Sequence, residues 1–129
     1  MVDEEREREE DESESRDVWQ IAPPVGIEEA RRQGHVLKAL ADETRLRILS
    51  LLGERGGELT VGQIVRCFEL EQATISGHLR VLLYAGLISF RKRQRQVYYF
   101  LNEAALRQTI EMLEGLLHDF PTRRNTGPR

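Results

Sequence analysis

A chain of 129 residues has room for one domain with a modest core and leaves none for a separate catalytic domain. Its formal net charge of -3 averages two unlike parts: residues 1–17 hold 10 acids and 3 bases, while the remainder holds 12 acids and 16 bases. One cysteine, no signal-peptide pattern and no long apolar run argue against a disulfide scaffold and a membrane span, so we expect a cytoplasmic protein.

Met1 to Asp17 is poor in apolar residues and dense in like charge, and it cannot bury enough surface to offset the entropy of ordering. Trp19, Ile21, Pro23, Pro24 and Val25 follow as an extended connector, so residues 1–26 are expected to be a disordered acidic tail and its linker. From Ile27 to about Ala41 the pattern is helical, with Ile27, Ala30, Gly34, Leu37 and Ala41 along one side. Asp42 is the expected N-cap of a second helix reaching about Glu54, whose buried side holds Leu46, Ile48, Leu49 and Leu52. Gly53 to Gly57 breaks the chain. Thr60 to Phe68 reads as a third helix with Val61, Ile64, Val65 and Phe68 inward.

The fourth helix, from Gln72 to about Ala85, is the informative one. Ile75, Leu79 and Leu82 recur at i, i+4, i+7 and make a buried stripe, while Ala73, Gly77, Arg80 and Tyr84 fall on the opposite face. Gly86 is expected to end it by taking a left-handed conformation. The outward N-terminal half carries Gln72, Thr74, Ser76 and Arg80 with Ala73 and Gly77 between them. Amide, hydroxyl and guanidinium groups on a slim helix are what a DNA major groove admits. Gly77 costs about 1 kcal/mol relative to alanine, so it either permits close approach or is tolerated on a solvent face. His78, beside the apolar stripe, is expected to be packed or backbone-bonded and not a base reader.

Ile88 to Phe90 and Val97 to Leu101 are rich in β-branched and aromatic residues and predict a hairpin. Its tip would hold Arg91, Lys92, Arg93, Gln94, Arg95 and Gln96, and four cations so close repel one another unless an anion is near. Such a run is either a solvated turn or a wing on DNA phosphates; its place directly after a reader-type helix favours the wing. The last helix, from about Glu103 to Phe120, repeats Leu106, Ile110, Leu113, Leu117 and Phe120, and Pro121 opens a second disordered tail over residues 121–129. Met112 and Leu116 widen its apolar stripe beyond what one small domain needs, which suggests a subunit interface. The architecture is therefore mainly α with a small β-hairpin, a winged helix-turn-helix domain over residues 27–120 that reads double-stranded DNA. The acidic tail then serves solubility or competes with DNA for the basic face, and deleting residues 1–17 distinguishes the two by its effect on DNA affinity at low salt.

The runs LKALADETRLRILSLL (Leu37 to Leu52), ELTVGQIVRCFELEQATISGHLRVLLYAGLI (Glu58 to Ile88) and RKRQRQVYYFL (Arg91 to Leu101) resemble, in that order, the ArsR/SmtB family of bacterial transcriptional repressors. The resemblance spans about residues 28 to 120. It implies a homodimer joined through the first and last helices, with Ile27, Gly34, Leu37, Leu106, Ile110, Leu113, Leu117 and Phe120 at the interface, bound to an inverted repeat and released by an inducer. Two departures stand out: Glu43 replaces a common proline, and Glu71 replaces the usual serine N-cap of the reader helix.

The family's metal ligands do not carry over. The Cys-x-Cys pair of one site falls here on Thr60 and Gly62, and the carboxylate and histidine positions of another fall on Glu103, Ala105, Leu116 and Asp119, a poor set for zinc or nickel. No metal or cofactor is expected. Cys67 reads as core filling, and His35 and His118 as solvated or packed; a redox- or metal-responsive repressor using Cys67 or the two histidines is the alternative, as is a winged helix kept for protein contacts. No phosphate loop, nucleophile–base pair or metal cluster speaks for an enzyme. The inducer is not legible.

Overall fold

The computed structural model describes residues 23–55 and 57–117. The acidic stretch Met1 to Asp17, Trp19, Ile21, His118, Asp119, Phe120 and the tail from Pro121 lie outside the described residues. In chain order the elements are α1 (Ile27–Leu40), α2 (Glu43–Arg55), β1 (Leu59–Thr60), α3 (Val61–Val65), α4 (Gln72–Tyr84), β2 (Ile88–Arg93), β3 (Gln96–Leu101) and α5 (Glu103–Gly115). The compact unit that carries the core begins at Arg32, within α1. Ahead of it, Glu28 and Glu29 put negative charge on the first turn of α1, where the helix dipole favours it.

Apolar spacing explains the core. Ile48 and Leu52 of α2, Ile64 of α3, Ile75, Leu79 and Leu82 of α4, and Leu87 and Ile88 beyond it are each at most 2 % exposed. Burying each such side chain is worth about 1.5–3 kcal/mol, so the reader-type helix α4 is seated by its own inner stripe. The sheet has one strand more than expected: β1 joins the hairpin edge-on, giving the antiparallel order β1-β3-β2 with Leu59 opposite Tyr99 and Thr60 opposite Tyr98.

Capping places the helix starts. The Arg45 amide donates to Asp42 Oδ2 at 3.0 Å, so Asp42 is the N-cap of α2 as expected. Thr60 and Gln63 form a reciprocal capping box at the start of α3. Asn102 caps α5 by accepting from the Ala105 amide at 3.3 Å, and its Nδ2 donates to the Gly86 carbonyl at 2.9 Å. One side chain thus ties the exit of α4 to the start of α5.

Several expectations need correction. Leu46 is 51 % exposed, because it stands about 200° around α2 from the buried Ile48. The covered side of α1 is Gln33, Val36 and Ala39; Ile27, Ala30 and Ala41 are exposed, and Ala41 lies past the helix end. A glutamine can occupy that inner face because Thr109 Oγ1 of α5 donates to its Oε1 at 2.6 Å, which satisfies both buried groups. The third helix stops at Val65, short of Phe68, and only Ile64 of its four inward residues is fully buried. Cys67 therefore falls in the turn after α3 and is exposed, not core filling; its Sγ sits 3.5 Å from the Gln63 carbonyl. At the other end of the chain, α5 runs to Gly115, ahead of the expected Phe120.

Candidate nucleic-acid interface

Helix α4 presents its outer face to solvent. Gln72, Ala73, Thr74 and Arg80 are exposed, Ser76 and Gly77 half-buried, and Tyr84 at the far end is 91 % exposed. Glu71 precedes the helix in extended backbone without a side-chain bond to its first turn, so the leading amides of α4 keep their hydrogen-bonding capacity. At the other end Gly86 takes φ +75°, with its amide bonded to the Leu83 carbonyl and the Leu87 amide to that of Leu82. Those two bonds make a Schellman stop, and they turn the chain directly into β2. Among the described residues a Cβ on Gly77 would meet nothing within 4 Å, so their packing does not require that glycine.

His78 is held from the side. Arg45 Nη1 lies 3.3 Å from its Nδ1. Asp42 Oδ2 is 3.8 Å from the same ring nitrogen. Arg45 also donates through Nε to the Ala39 carbonyl at 2.6 Å and through Nη2 to that of Lys38 at 3.3 Å, which closes the C-terminal end of α1. The Arg45 amide holds the Asp42 carboxyl below its ordinary value; partial desolvation opposes this, while the Arg45 guanidinium, His78 and the Thr44 amide act in the same sense as the cap. Between α1 and the outer face of α4 runs a groove of about 630 Å³ lined by His35, Lys38, Gly77, Arg80, Val81 and Tyr84, among others.

The hairpin departs from expectation in a way that matters for its charges. The strands extend to Arg93 and restart at Gln96, leaving a two-residue turn in which Gln94 (φ 50°) and Arg95 (φ 69°) are both left-handed. Two such residues match the right-handed twist of paired strands. The six-residue basic tip is therefore a turn carrying Arg95 and a strand carrying the other three cations. Arg91 Nε and Arg93 Nη2 each reach a different oxygen of Glu58, both at 2.6 Å. Their guanidiniums lie over the rings of Phe100 and Tyr98 at 4.8 and 4.7 Å from the centroids. Among the described residues, Lys92 and Arg95 have no carboxylate within bonding distance.

The sequence reading missed Glu58, Arg45, the Gln33–Thr109 pair and Asn102. An Asn just ahead of a helical run signals a cap, but its second bond to Gly86 depends on tertiary geometry. Of the transferred ligand positions, Thr60 is occupied in capping α3, Gly62 offers no side chain, and Glu103 opens α5. His35 is exposed. Residues of the expected subunit contact divide: Gly34, Leu37 and Leu106 are half-buried, and Ile27, Ile110, Leu113 and Leu117 are exposed.

Residues 42–89 match the family model described as "Bacterial regulatory protein, arsR family". The chain is 38 % identical over 79 residues to "Transcriptional repressor SdpR" of Bacillus subtilis, covering 61 % of this chain and 86 % of that protein. The chain belongs to the ArsR family. Among other relatives of this ArsR-family chain, "Transcriptional activator HlyU" of Vibrio cholerae is 35 % identical over 97 residues, covering 72 % of this chain and 88 % of HlyU. An ArsR-like transcriptional regulator from Rhodococcus superposes with a TM-score of 0.68 at 26 % identity, over 77 % of this chain and 92 % of that one. The structure of HlyU from Vibrio cholerae superposes with a TM-score of 0.58 at 35 % identity, over 70 % and 97 %. This ArsR-family protein is thus a DNA-binding transcriptional regulator with a winged-helix fold, a class that is not enzymatic. No described helix is long and apolar enough to cross a membrane.

Proposed function

We propose that two copies of this regulator bind an inverted-repeat operator and repress transcription, working in the cytoplasm. The observation that carries this reading is the outer face of α4, where Gln72, Ala73, Thr74, Ser76, Gly77 and Arg80 offer short polar groups to a major groove. Lys92 and Arg95 on the wing meet phosphates, and Arg91 and Arg93 join them. Dimerisation uses the exposed apolar side of α5 (Ile110, Leu113, Leu117) with α1, which sets two reader helices about one helical turn apart on the duplex. SdpR is named a repressor and HlyU an activator; for this chain repression by occupancy is the simpler reading, since it needs nothing beyond the two surfaces just described.

Selection of bound duplexes from a random pool tests the reading: recovered sequences should carry two half-sites in inverted orientation. Arg80→Ala should relax preference at one position of each half-site, at a cost of about 1–3 kcal/mol. Arg95→Ala should weaken all duplexes alike and flatten the salt dependence by about one ion. Gly77→Ala separates the two roles of that glycine, because it should stabilise the fold by about 0.5–1 kcal/mol while weakening operator binding through the added methyl. Recovery of unrelated duplexes, or a monomer at binding concentrations, would refute the proposal.

A further inference from the structure

The wing carries its own anion. Only 17 % of the Glu58 side chain is exposed, and its two oxygens are divided between Arg91 and Arg93 at 2.6 Å each. Strand parity brings this about. Thr60 and Arg91 both lie opposite Tyr98, so Glu58, Tyr98, Phe100, Arg91 and Arg93 share one face of the sheet while Lys92 points to the other. Each guanidinium lies over an aromatic ring, Arg91 on Phe100 and Arg93 on Tyr98, while Arg91 Nε and Arg93 Nη2 reach the carboxylate. A carboxylate accepting charge-assisted bonds from two guanidiniums offers what a DNA phosphate would offer to the same groups.

We propose that Glu58 is a resident competitor for phosphate: it engages Arg91 and Arg93 in the free protein, yields them when DNA arrives, and so sets the strength and salt dependence of wing binding without affecting sequence choice. This rests on the reading of the wing as a phosphate-binding element. With Glu58 charged, the three groups carry a net charge of one cation, and the wing displaces correspondingly fewer counterions from the duplex. Removing that charge lets the pair neutralise about one more phosphate, which steepens the slope of log affinity against log salt by about 0.9.

The experiment compares full-length wild type with Glu58→Gln on a selected operator and on an unrelated duplex of equal length, from 50 to 200 mM salt. Glu58→Gln should bind both duplexes more tightly at 50 mM, lose about 3- to 4-fold more affinity across the range, and keep the ratio between the duplexes. Adding Glu58→Gln to an Arg91→Gln/Arg93→Gln protein should leave the slope alone, since no arginine remains to compete for. A slope change that persists there reflects general charge and overturns the proposal, as does a folded Glu58→Gln that binds no tighter or with an unchanged slope. Glu58→Asp keeps the charge but is one methylene too short to reach both guanidiniums. It carries the test should the glutamine variant fail to fold: a slope between wild type and about 0.9 steeper supports competition, and the wild-type slope overturns it. Wild type without salt-dependent binding overturns the wing reading itself and this proposal with it.

Discussion

Two helices of thirteen residues, α4 and α5, treat their apolar side chains differently. Ile75, Leu79 and Leu82 of α4 are covered to 1 % exposure or less by their own chain, whereas Ile110 and Leu113 of α5, with Leu116 and Leu117 just past it, remain 40–60 % exposed. The only fully buried residue of α5 is a threonine bonded to a glutamine. The contrast separates two meanings of an amphipathic pattern. Helix α4 is complete within one chain and frees its polar face for a ligand. Helix α5 is anchored by a polar bond and offers its apolar residues to a further surface, which in the proposed function is a second copy.

The strongest way to break this comparison is Leu79→Ala, which should cost about 2–5 kcal/mol and abolish a cooperative thermal transition at physiological temperature or lower its midpoint by many degrees. If α4 were as loosely seated as α5, the change would be mild. Ile110→Glu with Leu113→Glu tests the other helix: circular dichroism should report an intact fold, sedimentation a monomer, and operator affinity a loss of about 100-fold or more as the second half-site is forfeited. Unfolding of that variant would mean the face belongs to the chain's own core. Thr109→Val removes the hydroxyl that donates to the buried Gln33 Oε1 and should cost about 1–3 kcal/mol in denaturant titration, with oligomeric state unchanged. Gly86→Ala adds a methyl to open space, so its cost is the left-handed backbone alone, about 1–2 kcal/mol.

The smallest effect is set by pH. The folded-state pKa of Asp42 lies below its ordinary value near 3.8, so its share of stability is fully present above that value and is lost as pH falls through the lower folded value. Asp42→Asn should therefore be slightly less stable than wild type at neutral pH, and the gap should close in acid. Melting curves from pH 7 to pH 2 measure it.

Where the sequence reading succeeded, local chemistry decided the outcome. The i, i+4, i+7 stripe of α4, the glycine that stops it and the aspartate that caps α2 are each legible from a few neighbouring residues and were found in place. The hairpin was legible as a hairpin, but its turn was not, because Gln94 and Arg95 replace the Asn-Gly type that normally marks two left-handed residues. Glu58 was invisible for another reason: it lies 33 residues before Arg91 in the chain, and only the pairing of β1 with β3 brings it under the wing. The inner face of α1 went unseen because a glutamine occupies it, and a polar residue reads as outward until its partner at position 109 is known. The contact roles of individual α4 and wing residues rest on chemistry that a duplex must supply.

Asn102 gives the molecule a mechanical property. A single carboxamide holds the terminal helix by its oxygen and the carbonyl of Gly86 by its nitrogen. The terminal helix therefore cannot rotate or slide at its base without dragging the reader's exit along or snapping a 2.9 Å bond. A displacement of α5 at its base is therefore passed, through this carboxamide and the Asn102 amide bonded to the Leu87 carbonyl, to the exit of α4.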